Sequence, residues 1–372
     1  MKILQFAYSF NPGGAERFVI DLSNELGKYH ETVIFALRDD TIENQGFYVS
    51  EISNVVTYKN LKIKPGFNPG LFWSFYKILK REKPDVVHCH LNLVNYFFPL
   101  SLIFHNKISF FYTIHSEAHK EVKSKFEKII RRFIFKYNFF IPVSISDETK
   151  KSYNSYYKLD NSPVIYNGRK FNTESSKFQQ VIAEIDKLKQ SPETLIFCHA
   201  ASSAKLKNQL MLVSVFNKLR EEGYNVILLI MGQGFESRTD LLELAGDHIY
   251  FLGVKSNVTD YLYAADAFCL SSEYEGMPIS LIEAFACACV PICTPVGGCN
   301  NTIKNGISGF LSKTIFEEDY LIAVKHFIKN KDLVNRKNLL KFYQENFSIE
   351  KCAKNYMNLY QDLVSRKKKQ NN

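Results

Sequence analysis

Short apolar runs alternate with amphipathic stretches along the whole chain. Lys2–Tyr8 is the first such run; a loop at Asn11–Gly14 follows, then Ala15–Leu26, with Phe18, Ile20, Leu22 and Leu26 available for one buried helix face. Thr32–Leu37, Val86–Cys89, Phe110–Ile114 and Phe140–Val143 predict further short buried strands, and Pro163–Gly168 predicts a last strand leading into a turn. Polar sequence of low hydrophobicity from Arg169 to about Glu193 predicts a domain boundary. The same grammar then restarts: strands at Leu195–Cys198, Asn225–Met231, Ile249–Leu252, Ala267–Leu270 and Pro291–Cys293, with a helix at Asn208–Glu221. This alternation predicts an α/β protein whose mostly parallel sheets are covered by helices. The expected organisation is a doubly wound, Rossmann-like domain over 1–170, a second over 171–346, and a last segment, 347–372, of a helix at Phe347–Val364 and a frayed basic tail.

The length of 372 residues agrees with two domains rather than one core. No apolar run approaches the roughly 20 residues of a membrane span, and Met1–Tyr8 is too short for a signal peptide, so a cytoplasmic protein is expected. Eight cysteines lack paired zinc-ligand spacing; Cys287, Cys289 and Cys293 lie in an apolar stretch and read as small hydrophobes, all eight as reduced thiols. The formal charge of +9 is uneven: residues 1–170 carry 24 Lys+Arg against 16 Asp+Glu, the remainder 23 against 22. A basic first half and a neutral second half bear on partners. No aromatic-interleaved basic motif marks a nucleic-acid surface.

The most specific chemistry lies in Glu275-Gly-Met-Pro-Ile-Ser-Leu-Ile-Glu283. Pro278 suits the first turn of a helix, where its missing N–H costs nothing. The amides of Ile279, Ser280 and Leu281 are then left without intrahelical acceptors, and such a helix end attracts phosphate. Glu275 falls in the loop before this anion site, and Glu283 more than a turn inside the helix. A diphosphate with hydroxyls on both sides, ribose and sugar, fits between two such carboxylates. An ordinary strand–loop–helix with two surface glutamates is the competing reading.

This segment resembles the Glu-x7-Glu signature of retaining glycosyltransferases of family 4, which have the two-domain GT-B fold with both Rossmann-like domains facing a central cleft. The likeness continues through Pro295-Val-Gly-Gly298 and Asn305–Leu311 and extends over nearly the whole chain. Asn11-Pro-Gly-Gly-Ala-Glu-Arg17 resembles the family's Gly-Gly-Ala-Glu loop, whose second glycine, here Gly14, lies against donor phosphate and acceptor. Lys207 matches the lysine of an Arg-x4-Lys pair whose arginine position holds Ser202; exposed Lys205 is a weaker substitute. His115 matches the histidine that approaches the transferred sugar, whereas His88 and His90 read as packing residues. Met231-Gly232-Gln-Gly234 resembles the turn near the nucleotide, and Phe251–Val254 the stretch that holds the base. Ala286-Cys-Ala288-Cys-Val-Pro291 departs from the family's Ala-x-Gly-x-Pro, behind the site.

The resemblance implies a terminal helix, within 347–372, that crosses back onto the first domain, and a hexosyltransferase that uses a nucleotide-sugar, most simply a UDP-sugar, with retained anomeric configuration and no cofactor or metal. Glu283 would hold the ribose; Glu275, Gly276 and Met277 the sugar; and Ser280, Leu281, Lys207 and Gly14 the diphosphate. The acceptor would be a glycan or a lipid-linked glycan, as in surface polysaccharide synthesis. A UDP-sugar 2-epimerase and a non-catalytic sugar-binding homologue are the alternatives. Finally, His119–Tyr137 carries seven Lys or Arg, with Val122, Phe126, Ile129, Ile130, Phe133 and Ile134 recurring at helical spacing. It predicts either a core helix with a solvated basic face or a surface that rests peripherally on anionic lipid at the inner membrane face.

Overall fold

The computed structural model describes residues 1–42, 46–64, 68 and 70–371. The chain divides into two compact units, 1–170 with 349–372, and 171–348.

In the first unit the elements run β1 (Lys2–Ala7), α1 (Gly14–Gly27), β2 (Glu31–Ala36), β3 (Val56–Asn60), α2 (Gly70–Glu82) and β4 (Val86–His90). They continue with α3 (Val94–Ile103), β5 (Ser109–Ile114), α4 (Lys125–Lys136), β6 (Ile141–Ser144) and α5 (Asp147–Tyr157). All strands are parallel in the order β3-β2-β1-β4-β5-β6. Strands β1, β4 and β5 are buried along nearly their whole length, which is why they read as continuous apolar runs.

The second unit repeats the plan with α6 (Phe178–Leu188), β7 (Leu195–Ala200), α7 (Gln209–Glu221), β8 (Val226–Met231), α8 (Thr239–Leu244), β9 (Ile249–Gly253) and α9 (Val258–Ala264). There follow β10 (Ala267–Leu270), α10 (Ile279–Ala286), β11 (Val290–Cys293), α11 (Cys299–Thr302), β12 (Phe310–Leu311), α12 (Glu317–Asn330) and α13 (Arg336–Asn346). Its sheet is also parallel, in the order β12-β11-β10-β7-β8-β9. Each unit therefore reverses direction between two neighbouring strands, β1/β4 and β7/β10, and the carboxyl ends beside that switch are where such sheets bind ligands.

Two sequence expectations are corrected, the strand at Pro163–Gly168 and the frayed tail, and two elements, β3 and α6, were not foreseen. Pro163–Gly168 is not a strand: it makes a single bridge, Ser144 with Val164, because the proline has no N–H to extend a ladder. Val56–Asn60 is an edge strand with only Val56 buried, so it carries no apolar run. The polar stretch 169–193 contains α6, which buries only Val181 and Ile185. The terminal segment is one helix, α14 (Ile349–Asn371), and not a frayed tail. It lies on the first unit: Lys367 Nζ donates to the carbonyls of His105 (2.6 Å) and Ile108 (2.8 Å). Burial there pushes the Lys367 pKa down to about 8. Asn372 lies outside the described residues.

Helix α4 also corrects the core-helix expectation. Arg131 is buried, and Phe126, Ile129 and Phe133 are exposed; of the six apolar positions only Ile134 is fully buried. All eight cysteines are free and buried, and burial raises the thiol pKa at Cys89, Cys198, Cys269, Cys289, Cys293 and Cys352.

Candidate active site

In the second unit the loops after β7 and β10 are joined at the Leu206 and Lys207 carbonyls. Ser271 Oγ donates to the Lys207 carbonyl (2.8 Å), and the Glu273 amide to the Leu206 carbonyl (2.8 Å). This turns Lys207 toward Glu275, which is buried, and the Lys207 ammonium donates to Glu275 Oε1 at 2.6 Å. Ser272 Oγ donates to the same oxygen, also at 2.6 Å. Thr294 Oγ1 in turn donates to the Ser272 carbonyl (2.5 Å), tying the loop to the end of β11. Lysine and glutamate, given separate tasks by the sequence reading, are thus direct partners.

Pro295-Val-Gly-Gly298 has its physical reason in the same loop. Gly297 has φ +49°, and a Cβ there would lie 1.9 Å from the Glu275 carbonyl oxygen. The Gly298 amide donates to the Gly276 carbonyl at 2.7 Å. Two residues without side chains let the β11 loop press against Glu275–Met277 and fix them.

Pro278 is the N-cap of α10, not its first helical residue, with ψ 125° and no capping side-chain bond. Ile282 donates to the Pro278 carbonyl, so the amides of Ile279, Ser280 and Leu281 keep no intrahelical acceptor. Glu283, one turn further on, is half-buried.

The glycines after β8 serve the β7 loop. A Cβ on Gly232 (φ +149°) would meet the Ala201 carbonyl oxygen at 1.8 Å, and one on Gly234 (φ +84°) the Ser203 Oγ at 2.5 Å. The Ser203 amide donates to the Gln233 carbonyl (2.9 Å), and the Gly232 amide to that of Gly253 (2.9 Å). Val254 follows with an exposed side chain. Sequence reading missed Arg238, which comes from beyond this turn. Its Nη1 donates to the Ser203 carbonyl (2.9 Å), and Nε and Nη2 to the Asp240 carboxylate (2.8 Å each). A guanidinium is therefore anchored one residue from Ser202. Beneath the loop, Gln209 Nε2 donates to the Ser202 carbonyl (2.9 Å) and faces His199 Nε2 (3.2 Å); His199 Nδ1 donates to the Cys269 carbonyl (2.9 Å). Burial holds His199 neutral, its pKa pushed down to about 4.

In the first unit, Gly13 is the extended N-cap of α1 and Gly14 its exposed first residue. His115 follows β5. Its amide donates to Glu121 Oε1 (2.9 Å), and its Nε2 lies 3.2 Å from His90 Nδ1. His90 Nε2 reaches Gln5 Oε1 at 2.8 Å. An amide oxygen only accepts, so His90 carries its proton on Nε2 and accepts at Nδ1 from His115 Nε2–H. The His115 Nδ1 lone pair is left to accept from a ligand. His88 has its own partners: its Nε2 meets Thr113 Oγ1 (2.7 Å), and its Nδ1 the Tyr360 hydroxyl of α14 (2.6 Å). Thr113 Oγ1 also meets the Tyr356 hydroxyl (3.0 Å). Burial pushes the His115 pKa down to about 3 and those of His88 and His90 well below the ordinary value. The packing role read for His88 and His90 thus understates them: His90 links Gln5 to His115, and His88, whose ring lies against that of His90, joins Thr113 to Tyr360. The alternation His88-Cys-His90 on a strand was the one sequence signal, since residues two apart share a face.

Comparison with known proteins agrees with this division. The family model described as "Glycosyltransferase Family 4" matches residues 12–170, and that described as "Glycosyl transferases group 1" matches residues 181–341. The chain is 24% identical to the capsular polysaccharide biosynthesis glycosyltransferase CapH of Staphylococcus aureus, over 97% of this chain and 98% of that one. It is 24% identical to the UDP-Gal:alpha-D-GlcNAc-diphosphoundecaprenol alpha-1,3-galactosyltransferase of Escherichia coli, over 79% of each. Among solved structures, Anabaena HepE in complex with UDP-glucose superposes with a TM-score of 0.80 at 15% identity, covering 98% of this chain and 100% of that one.

Proposed function

From the premise that this chain belongs to the glycosyltransferases of group 1 and family 4, with their GT-B fold, we propose that it transfers a hexose from a UDP-sugar to a lipid-linked glycan with retained anomeric configuration. The observation that carries the reading is the buried Glu275, held by Lys207 and Ser272 just ahead of the open α10 amides. An anion binds such a helix end through free donors and the dipole. Lys207, shared with Glu275, and Arg238 near Ser202, shared with Asp240, add charged N–H donors to those amides, and together these donors hold the diphosphate without a divalent ion. Glu283 takes the ribose hydroxyls. Glu275, with the Gly276 and Met277 amides, takes the sugar hydroxyls, and Val254 lies with the base.

In the reaction, the bond from the sugar's anomeric carbon to the phosphate oxygen breaks as the acceptor oxygen bonds to that carbon on the same face. The departing phosphate oxygen takes the acceptor proton, giving UDP and the glycoside. No protein base is required. The first unit serves the acceptor side: Gly14 opens a helix start, and neutral His115 offers Nδ1 to a sugar hydroxyl. Likeness to a UDP-glucose-bound structure and to an enzyme named for a UDP-galactose donor and a diphosphoundecaprenol acceptor supports both substrate classes. With such an acceptor the enzyme works at an anionic membrane face.

The test is incubation with UDP-sugars and a diphosphate-lipid glycan, with the anomeric configuration of the product read by proton coupling constants. Transfer with the donor's configuration is expected. An inverted product, or an epimerised UDP-sugar formed without transfer, contradicts the reading.

A further inference from the structure

Helix α4 is inside out for a core helix. Its inward face carries a charge: Arg131, 1% exposed, pairs with Glu127 (2.7 Å) and is held by Asn92 (3.0 Å) and Asn95 (3.2 Å). Its outward face is apolar. Phe126, Ile129, Phe133 and Tyr137 are 73%, 66%, 44% and 54% exposed, and their spacing of three, four and four residues makes one continuous ridge. Arg131 fixes this orientation, because rolling the ridge inward would expel a guanidinium from its buried partners.

Beside the ridge the chemistry changes sign. On the helix, Lys125, Arg132 and Lys136 lie between the ridge and the flank facing α5. Between α4 and α5 is an open cavity of about 760 Å3, lined by Lys128, Arg132, Lys151 and Lys158, with Tyr156 and Ser155. Glu117 and Glu148 also line it; Lys120 (3.3 Å) and His119 (3.5 Å) face Glu117, and Lys151 (3.6 Å) faces Glu148. Among the described residues no carboxylate pairs with Lys128, Arg132 or Lys158. The Lys128 ammonium sits 4.1 Å above the Tyr156 ring, and Arg132 Nε is fixed by the Tyr157 carbonyl at 2.8 Å, which preorganises both. A basic cavity joined to an apolar ridge matches the interfacial zone of an anionic bilayer, where phosphate and acyl chain meet.

We propose that α4 docks this protein on anionic membranes, the Phe126–Tyr137 ridge entering the acyl boundary and the α4–α5 cavity taking a phospholipid phosphate. This deepens the lipid-linked acceptor reading and rests on it: the surface keeps the first unit where such an acceptor is found. A protein partner fits less well, since the cavity's unpaired cations need a dense field of anions.

The full chain is tested by sedimentation with phosphatidylcholine vesicles, with and without phosphatidylglycerol. Binding is expected only with the anionic lipid and falls as salt rises. Phe126→Ser, Ile129→Ser and Phe133→Ser together should abolish it. Lys128→Ser, Arg132→Ser and Lys158→Ser together should weaken partition about a hundredfold, each cation near the surface being worth roughly fivefold. Removing three exposed lysines of the second unit, Lys313, Lys329 and Lys337, should change partition by less than about twofold. Far-ultraviolet circular dichroism and the urea midpoint check folding of every variant. Equal binding to neutral vesicles, equal losses for the two charge triples, or a dimer that the ridge variant dissociates overturns the proposal. Vesicle binding without transfer to a lipid-linked acceptor contradicts the function but leaves this surface standing; transfer to a detergent-dispersed acceptor without vesicle binding does the reverse.

Discussion

Glu275→Gln separates the two carboxylates of the site by role. Glu275 Oε1 accepts from Lys207 Nζ and Ser272 Oγ, both at 2.6 Å, and a glutamine oxygen in the same place still accepts from both. Geometry is kept and the charge is lost. A hydrogen bond to a charged group is worth about 1.5–3 kcal/mol and a neutral one about 1, so two weakened contacts cost about 1–3 kcal/mol. The Lys207 side chain is 24% exposed, so water compensates part of this and the expected loss is about 1–2 kcal/mol, read from the urea midpoint. The same change weakens the bonds to the sugar and should lower turnover roughly ten- to hundred-fold, with UDP affinity by calorimetry nearly unchanged. Glu283→Gln should instead weaken UDP and UDP-sugar alike by a similar factor, because the ribose is common to both. Equal losses of UDP affinity in the two variants refute the division of labour.

Arg238→Ala should weaken UDP binding several-fold in calorimetry, with partial recovery in the double variant that adds Ser202→Arg; an unaffected Kd for Arg238→Ala removes this arginine from the site. Acid should destabilise the fold early. His88, His90, His115 and His199 stay neutral when folded, whereas in the unfolded chain they take protons below about pH 6.5. Their contribution is therefore whole above that value and is lost as pH falls, by about 1.4 kcal/mol per histidine at pH 5.5. Urea midpoints unchanged between pH 7.5 and 5.5 contradict this. In long-range proton–nitrogen spectra His115 should carry its proton on Nε2, and Gln5→Leu should mix the tautomers; a proton on Nδ1 in the unaltered protein breaks the proposed chain.

Strands buried on both faces were legible within a residue or two, because burial forces continuous apolar runs. Edge strand β3 was not, having one buried residue, and α6 was hidden by a polar surface around Val181 and Ile185. The loop glutamates and glycines were legible because backbone proximity restricts residue type: Gly297 lies where a Cβ would strike the Glu275 carbonyl. The side-chain partnerships were not. Gln5, His90 and His115 meet across three strands, and Arg238 reaches Ser203 from 35 positions away. Helix α4 was legible as amphipathic but not in its orientation, since one buried arginine with partners on α3 and in the β5–α4 loop decides which face turns inward.

The central claim is that the second unit binds a uridine diphosphate through α10 amides and Lys207 without a divalent ion. Thermal unfolding in EDTA with UDP, GDP or ADP tests it most directly, since a ligand at about 100 times its Kd stabilises by roughly 2.7 kcal/mol. Stabilisation by UDP in EDTA, reduced to about 0.4–1.4 kcal/mol in Glu283→Gln and retained in Glu275→Gln, is the predicted result. Stabilisation only by another nucleotide, or only after Mn²⁺ or Mg²⁺ is restored, contradicts it.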